Sequence, residues 1–248
     1  MGDHQNGMSK SINTGMSLHD LIRLGPEEFL GHRVLEKFGD VQLPFLFKIL
    51  SFDKALPLQS HPNRKLAGQL MQQEKKESWL SKNETFVDPN HKPEIAIVLS
   101  EKFQGFVGFR PIEEIREFVR DVPELREVIG EENAEGFLSG EKGVKETFGK
   151  VFDDEEDKKA LLKSFMKRVN LEGNRAFGKR GSQEKYLAEV ARKLNNRYPG
   201  DMGLFGAIFF ANLMVLKRGQ GIAIQPDVIH AYVDGDVIEV KYRRIQLI

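Results

Sequence analysis

The strongest constraint on the fold is a change of hydrophobic period along the chain. Between residues 112 and 198, apolar residues recur three and four positions apart, as in Ile112, Ile115, Phe118 and Val119, and this is the spacing of one helix face. On either side of that stretch, the apolar residues form short runs rich in aromatic and β-branched residues, which is typical of strands. Strands, then helices, then strands predict an α+β chain with a helical insertion.

Local signals place the elements of the first part of the chain. Ser17-Leu-His-Asp20 combines an N-cap residue with an acid three positions later, so a helix is predicted to begin at Ser17. Residues 42–51 (QLPFLFKILS) and 94–99 (EIAIVL) are short and apolar, as expected of buried strands. The polar segment 64–81 between them is predicted to be a helix.

The last part of the chain returns to apolar runs that turn residues separate. After Pro199-Gly200, we predict a short helix as far as Leu216 and a turn at Gly219-Gln-Gly221. Strands are expected within Tyr232–Val240 around Asp234-Gly235, because Asp-Gly is a favoured hairpin turn.

Charge and cysteine content exclude several classes of function. The 37 Lys and Arg residues balance the 37 Asp and Glu residues, so no field of one sign would attract nucleic acid or anionic lipid. The chain has no cysteine, which leaves His, Asp, Glu and neutral oxygen atoms as metal ligands. No apolar segment has the pattern of a signal peptide or membrane span, so we expect a cytoplasmic protein with neither nucleic-acid nor membrane partners.

Three segments carry pairs of polar residues two positions apart. They are Gln59-Ser60-His61, Lys92-Pro93-Glu94 and His230-Ala231-Tyr232, and in an extended chain the outer side chains of each point to the same side. Two nitrogen and two oxygen ligands, a set that zinc accepts at a catalytic site, would come from Gln59, His61, Glu94 and His230. Spacing does not show that the segments meet, and a histidine within a strand is more often a surface or core residue.

The other motifs point to no further site. His4, His19 and His32 have no matching donor two residues away, and His91 would point away from Lys92. The sequence contains no GxxxxGK[ST], no GxGxxG after a strand and no GxSxG. Nucleotide binding and serine hydrolysis are therefore unsupported.

Three blocks of sequence are familiar as a set. Residues 43–67, LPFLFKILSFDKALPLQSHPNRKLA, are similar to a family signature of the form LPFLFKVLS…LSIQAHPDK. Residues 88–111 are similar to DPNHKPEMAIAL followed by GFRP, and residues 198–239 are similar to YPGDIGIF, PHAY and SGD.IE in turn. Because order and spacing agree across all three, the chain resembles the type I phosphomannose isomerases, which are zinc-dependent enzymes.

The resemblance implies a fold and a metal site. It implies a cupin-like (jelly-roll) β-sandwich from residues 1–111 and 199–248, with residues 112–198 inserted as a helical domain. In that family, one zinc ion is bound by the Gln and His of QAHP, the Glu of HKPE and the His of PHAY. These correspond here to Gln59, His61, Glu94 and His230, the four residues that the spacing had nominated.

The resemblance also implies a reaction. The family interconverts mannose 6-phosphate and fructose 6-phosphate through a cis-enediol, and so supplies GDP-mannose synthesis. We expect Glu239 to be the base that relays the proton, with Lys48, Lys92 and Tyr232 as partners of the sugar oxygens. The expected ligands are one Zn²⁺ per chain and a small sugar phosphate, and the family implies a monomer.

The chain departs from the family pattern near both ends. The family's opening strands precede the segment matched here by MGDHQNG, and the residues after Glu239 differ from the family's continuation, which carries an Arg. Arg243 and Arg244 are tempting substitutes that nothing aligns, and Pro57 stands where the family has Ser. We therefore expect an incomplete sandwich whose exposed edges favour non-specific association.

Two other interpretations remain open. One is a catalytically incomplete cupin-like fragment that binds zinc or sugar phosphate without turnover. The other is a metal-dependent cupin oxygenase or another sugar isomerase, which would need a different ligand set such as two histidines and a carboxylate. Gln59 as a donor and the HKPE context disfavour the oxygenase.

Overall fold

The computed structural model describes residues 2–3, 7–77, 93–153 and 155–242. Within this part of the chain, six strands form one curled antiparallel sheet, and we call the side that carries the buried side chains of Glu94, His230 and Glu239 the cavity. The strands are β1 Phe45–Phe52, β2 Glu94–Val98, β3 Lys102–Phe109, β4 Ala211–Lys217, β5 Gly221–Ile224 and β6 His230–Tyr242. The mixed α+β composition predicted from the change of period is confirmed.

Helices flank the first strand and fill the middle of the chain. The first four are α1 Leu18–Leu24, α2 Pro26–Leu30, α3 His32–Phe38 and α4 Arg64–Glu77. The predicted helix start is confirmed, because the Ser17 side chain accepts a hydrogen bond from the amide of Asp20. The polar helix predicted over 64–81 is confirmed as far as Glu77, and residues 78–81 lie outside the described residues.

The stretch of helical periodicity forms seven α-helices, as its apolar spacing predicts. They are α5 Ile112–Asp121, α6 Pro123–Ile129, α7 Glu131–Ser139, α8 Val144–Lys150, α9 Glu155–Glu172, α10 Gly178–Gly181 and α11 Leu187–Arg197, with a 3₁₀ turn at Gly173–Phe177. Their buried faces meet at a cluster of phenylalanines, in which the Phe165 ring contacts Phe177 and Phe209 at centroid distances of 5.2 and 5.3 Å. Within the described residues, no helix is both long and apolar enough to cross a membrane.

The prediction of a helix as far as Leu216 is wrong beyond Phe210. Helix α12 (Gly203–Phe205) continues as a π-helical turn over Gly206–Phe210, and the chain then becomes strand β4. Strand β4 pairs with β3, so that Leu216 lies opposite Phe103. A short apolar run suits a buried helix and a buried strand equally. Here the run forms a strand because it pairs with β3.

Strand β6 joins the two halves of the sheet. Its first part pairs with β3, and its second part lies between β1 and β2, with β5 on the far side of β2. Strand β6 pairs with β3 and also with β1 and β2. Residues from His230 to Lys241 therefore lie along the same cavity.

Strand β6 runs through Asp234-Gly235 without a turn, so the hairpin turn predicted there is wrong, and a bulge lies just before Asp234. Gln104 faces Asp234 while the next residue of β3 faces Tyr232, which leaves one extra residue in β6. Gly235 has φ of 116°, and a Cβ there would lie 2.9 Å from the carbonyl oxygen of Lys102. The extra residue reverses the alternation of side chains, so that Tyr232 before it and Glu239 after it face the same cavity.

Candidate metal centre and active site

Three segments distant in sequence bring their polar side chains together at one end of the sheet. His61 lies in the loop after β1, Glu94 begins β2 and His230 begins β6. The Nε2 atom of His61 lies 2.8 Å from Oε1 of Glu94, and the Nε2 atom of His230 lies 3.6 Å from Oε2 of the same carboxylate. One ligand atom from each residue falls within 4.8 Å of the others.

Backbone contacts hold the histidine loop against β6. The amides of Gln59 and His230 donate to each other's carbonyl oxygens at 2.9 and 2.8 Å. Further along, the amide of Asp227 donates to the His61 carbonyl oxygen at 2.7 Å, and the Asp227 carboxylate accepts from the amide of Asn63 at 2.8 Å. These bonds fix the direction of the His61 side chain because both ends of its segment are anchored.

The converging atoms suit a divalent cation. His61 Nε2 and His230 Nε2 are buried without a hydrogen-bond partner of acceptable geometry, and both face the Glu94 carboxylate, whose Oε1 atom also contacts Lys241. A buried polar atom without a partner is costly, and two imidazole nitrogens aimed at one carboxylate indicate that a ligand satisfies them together. Two imidazoles and a carboxylate are ligands that zinc accepts.

The backbone sets the tautomer of His230. Its Nδ1 atom lies 2.9 Å from the carbonyl oxygen of Val228, and because a carbonyl only accepts, Nδ1 carries the proton. Burial lowers the pKa of His230, which favours the neutral ring. The bare lone pair is therefore on Nε2, the atom that faces Glu94, as in metal-binding histidines whose other nitrogen is hydrogen-bonded.

Glu94 is ionised although its side chain is only 1% exposed. Burial opposes the charge, but the contacts with His61 and Lys241 lower the pKa of Glu94 to about 2. The Nζ atom of Lys241 lies 2.5 Å from Oε1 of Glu94. A carboxylate kept charged in a buried place is a strong attractor for a cation.

Glu239 lies beside this cluster, facing the same cavity. Its Oε2 atom is buried without a hydrogen-bond partner, and the Nζ atoms of Lys48 and Lys241 each lie 3.7 Å from it. Burial raises the pKa of Glu239, and the nearby charge of Glu94 raises it further. A raised pKa makes a carboxylate a better proton acceptor, which suits a general base.

Tyr232 contacts the Glu94 carboxylate through its hydroxyl. Its hydroxyl donates to Oε2 of Glu94 at 3.5 Å, and its ring packs edge-on against Phe52 and Phe103. Burial and the charges of Glu94 and Glu239 raise the pKa of the phenol. The structure therefore gives Tyr232 a contact with the Glu94 carboxylate, while its predicted contact with sugar oxygens stays a prediction.

The remaining predicted site residues divide into two groups. Gln59 is next to the centre through its backbone pairing with His230, and the role of its side chain stays a prediction. Lys92 lies outside the described residues, as do Arg243 and Arg244.

The other histidines that the structure describes lie away from the cluster. His19 faces Asp3 at 3.9 Å, and His32 faces Glu27 at the surface, also at 3.9 Å. His4 and His91 lie outside the described residues.

Lys241 is the site residue that sequence reasoning missed. The signal was present, because Lys241 follows Glu239 by two positions in a strand and therefore faces the same side. The family pattern has no lysine that matches Lys241, and the residues proposed beyond Glu239 were Arg243 and Arg244.

Comparison with known proteins agrees with this geometry. Residues 1–112 match the family described as phosphomannose isomerase type I, catalytic domain. The chain is 36% identical over 255 residues to mannose-6-phosphate isomerase of Candida albicans, with 96% of this chain and 55% of the relative covered. It is 35% identical over 250 residues to the human enzyme of that name, with 96% and 56% covered.

Solved structures give the same result. A crystal structure of mannose 6-phosphate isomerase bound with zinc and yttrium superposes with a TM-score of 0.79 at 25% identity, and it covers 98% of this chain and 58% of that one. The apo form from Salmonella typhimurium superposes with a TM-score of 0.78, with the same identity and coverage. The chain spans a little over half the length of the relatives it matches. The resemblance predicted from three sequence blocks is thus confirmed, and the chain is a relative of the type I phosphomannose isomerases.

Proposed function

We propose that this chain carries the metal centre of a zinc-dependent isomerase that interconverts mannose 6-phosphate and fructose 6-phosphate. The observation that carries the proposal is the convergence of ligand atoms from His61, Glu94 and His230 within 4.8 Å of one another, beside the buried carboxylate of Glu239. Relatives named mannose-6-phosphate isomerase and a zinc-bound neighbour of that name support it.

In this proposal, His61, Glu94 and His230 bind the zinc ion, and the Gln59 side chain completes the set. When bound, a divalent metal polarises the adjacent C1 and C2 oxygens of an open-chain sugar as a Lewis acid. The metal-free ligand set is already assembled, because the backbone bridge between Gln59 and His230 and the Tyr232 hydroxyl on Glu94 hold it.

Glu239 then moves the proton between C1 and C2. Its raised pKa suits a group that takes a proton from one carbon and returns it to the next. Lys48 lies opposite Glu239 across the β1–β6 pairing and is about one-third exposed, so its ammonium can reach a sugar oxygen from the open side. Lys92, two residues before Glu94, is proposed as a second cation on the sugar.

Finer features of the proposal follow the resemblance. We propose that residues 1–111 and 199–248 form a cupin-type (jelly-roll) sandwich, with 112–198 as a helical insertion domain. We further propose one zinc ion per chain, a monomeric cytoplasmic protein, and a product that feeds GDP-mannose synthesis.

A second candidate is a fragment that binds zinc or sugar phosphate without turnover. It is favoured by the sequence after Glu239, which departs from the family and lacks its Arg. A planar guanidinium is hard to replace in phosphate recognition.

The deciding experiment measures metal content and mannose 6-phosphate isomerisation on the purified chain, beside His61→Ala. His32→Ala is the matched control, because that histidine is 80% exposed and far from the cluster. We expect zinc and turnover in the parent chain and in His32→Ala, and loss of both in His61→Ala. Zinc without turnover would establish the fragment instead, and absence of zinc would refute the metal centre.

A further inference from the structure

Lys241 occupies an unusual place for a lysine. Its Nζ atom lies 2.5 Å from Oε1 of Glu94 and 3.7 Å from Oε2 of Glu239, and its side chain is 18% exposed. Strand pairing creates this contact, because Lys241 lies directly opposite Glu94 on β2. The ammonium therefore sits between two buried carboxylates, as their counter-ion.

The same oxygen is a metal-ligand candidate. Glu94 Oε1 is the atom that His61 Nε2 approaches to 2.8 Å, so the ammonium and the imidazole reach one oxygen from different sides. A divalent cation bound by His61 and Glu94 would share that oxygen with the ammonium. Two positive groups on one buried oxygen repel strongly, since the interior screens charge poorly.

Once a metal is bound at Glu94, Glu239 is the other carboxylate in the described residues that lies within 4 Å of Lys241. The charged and titratable groups around Lys241 in the described residues are Glu94 on β2, Glu239, Tyr232 and His230 on β6, Lys48 on β1, and His61. Lys48 already lies 3.7 Å from the Glu239 carboxylate, so a displaced Lys241 would meet a second ammonium there.

We propose that Lys241 is a built-in competitor of the metal, which neutralises Glu94 in the metal-free chain and must withdraw from Oε1 when a divalent cation binds. Lys241 thereby weakens metal binding and stabilises the metal-free fold. The inference rests on the proposed metal centre and names a residue that tunes it. Lys241 acts through Glu94 and is a positioning residue.

The test is a zinc titration of the metal-free 248-residue chain against a chromophoric chelator. Lys241→Met keeps the length and apolar stem of the side chain and removes its charge. We expect Lys241→Met to bind Zn²⁺ more tightly than the parent, by on the order of tenfold or more. We also expect its metal-free form to melt at a lower temperature, with the difference shrinking or reversing when zinc is present.

Two further variants isolate the contact with Glu94. Lys241→Arg keeps a cation and should retain the parent's zinc affinity. Lys48→Met removes the other ammonium beside Glu239, which has no contact with Glu94 Oε1 in the described structure, and should leave zinc affinity within about twofold, as expected for a partly exposed charge.

Unchanged or weaker zinc binding by Lys241→Met, or an equal gain in Lys241→Arg, would overturn the inference. If metal-free Lys241→Met does not fold, circular dichroism after zinc addition decides, because the inference requires zinc to restore the fold. A parent chain and a Lys241→Met variant that both fail to bind zinc would instead refute the proposed metal centre itself. A parent that binds zinc as tightly as Lys241→Met leaves that centre intact and refutes only the role of Lys241.

Discussion

The helical region and the sheet differ in the arrangement of their buried polar groups. In the helices, buried rings pack on one another, and the charged residues that enter the interior are paired: Arg110 donates to both oxygens of Glu184 at 2.6 and 3.0 Å. In the sheet, the cavity contains buried atoms of His61 and Glu239 that have no hydrogen-bond partner. Asn133 and Thr147 in the helical region also have buried atoms without partners. In the described residues, however, it is at the sheet that such atoms converge on a group of candidate metal ligands, so function is assigned to the sheet.

The two regions also differ in their outer surfaces. On the face of the sheet opposite the cavity, Ile49 and Ile97 lie on either side of Ile238 and are 61% and 43% exposed. Large apolar residues clustered on a sheet face favour association. In the helical region the large exposed apolar residues, such as Leu171 at 76%, lie singly around a buried core of phenylalanines.

The largest expected effect is a loss of catalytic rate without a loss of stability. Glu239→Gln should lower kcat for isomerisation by about 10² to 10⁴-fold, the usual contribution of a general base. The fold should hold or gain stability, because folding raises the pKa of Glu239 and so favours its neutral form: the stability it contributes is lost as pH rises through that pKa. Steady-state kinetics and thermal melts check both parts.

Glu189→Gln is the control for that variant, since Glu189 pairs with Lys102 on the outer side of helix α11. It should keep the parent's kcat. Full turnover in Glu239→Gln would remove that residue from the mechanism.

A core substitution in the helical region should lower stability and leave the metal site unchanged. Phe165→Ala empties the centre of the phenylalanine cluster and should cost about 3 to 5 kcal/mol of unfolding free energy, measured by urea denaturation. Zinc affinity at a temperature where the variant is folded should not change. Phe29→Ala, at a position 46% exposed, should cost far less, and an equal cost at the two positions would contradict the picture of one dominant helical core.

Acid should weaken the helical region through one ion pair. Burial opposes ionisation of Glu124, but its hydrogen bonds with Arg168, at 3.0 and 2.6 Å, lower the pKa of Glu124 below the usual value. A lowered folded-state pKa adds stability above the unfolded pKa, and this stability is lost as pH falls through the folded value.

Melting temperatures of the parent and Glu124→Gln should therefore differ most near neutral pH, by the equivalent of about 1 to 3 kcal/mol. The two curves should converge at acidic pH. A constant difference from neutral pH down to strong acid would show that packing, and not the charge, explains the loss.

The smallest effect on stability is expected on the exposed face. Ile49→Lys should change the unfolding free energy by no more than about 0.5 kcal/mol, as is usual for surface positions, yet should reduce self-association in sedimentation velocity experiments. An unchanged association state would show that this face does not mediate contact between chains.

Much of the architecture was predictable because it depends on local pattern. The helical stretch after residue 112 and strands β1 and β2 follow from periodicity, and the Ser17 cap follows from its own residue types. Two elements differ from the prediction: β4, whose apolar run is ambiguous in isolation, and β6, which continues through Asp234-Gly235 although that dipeptide is common in hairpin turns. In both places, pairing with β3 overrode the local signal.

The sequence by itself determined the candidate ligands, since residues two apart in an extended segment share a side whatever the rest of the chain does. Only the tertiary structure decided that His61, Glu94 and His230 meet, because they come from three segments that sheet pairing brings together. It also decided the place of Lys241: the register of β6 against β2 sets that ammonium opposite Glu94. Register is a property of two strands together, and no single segment encodes it.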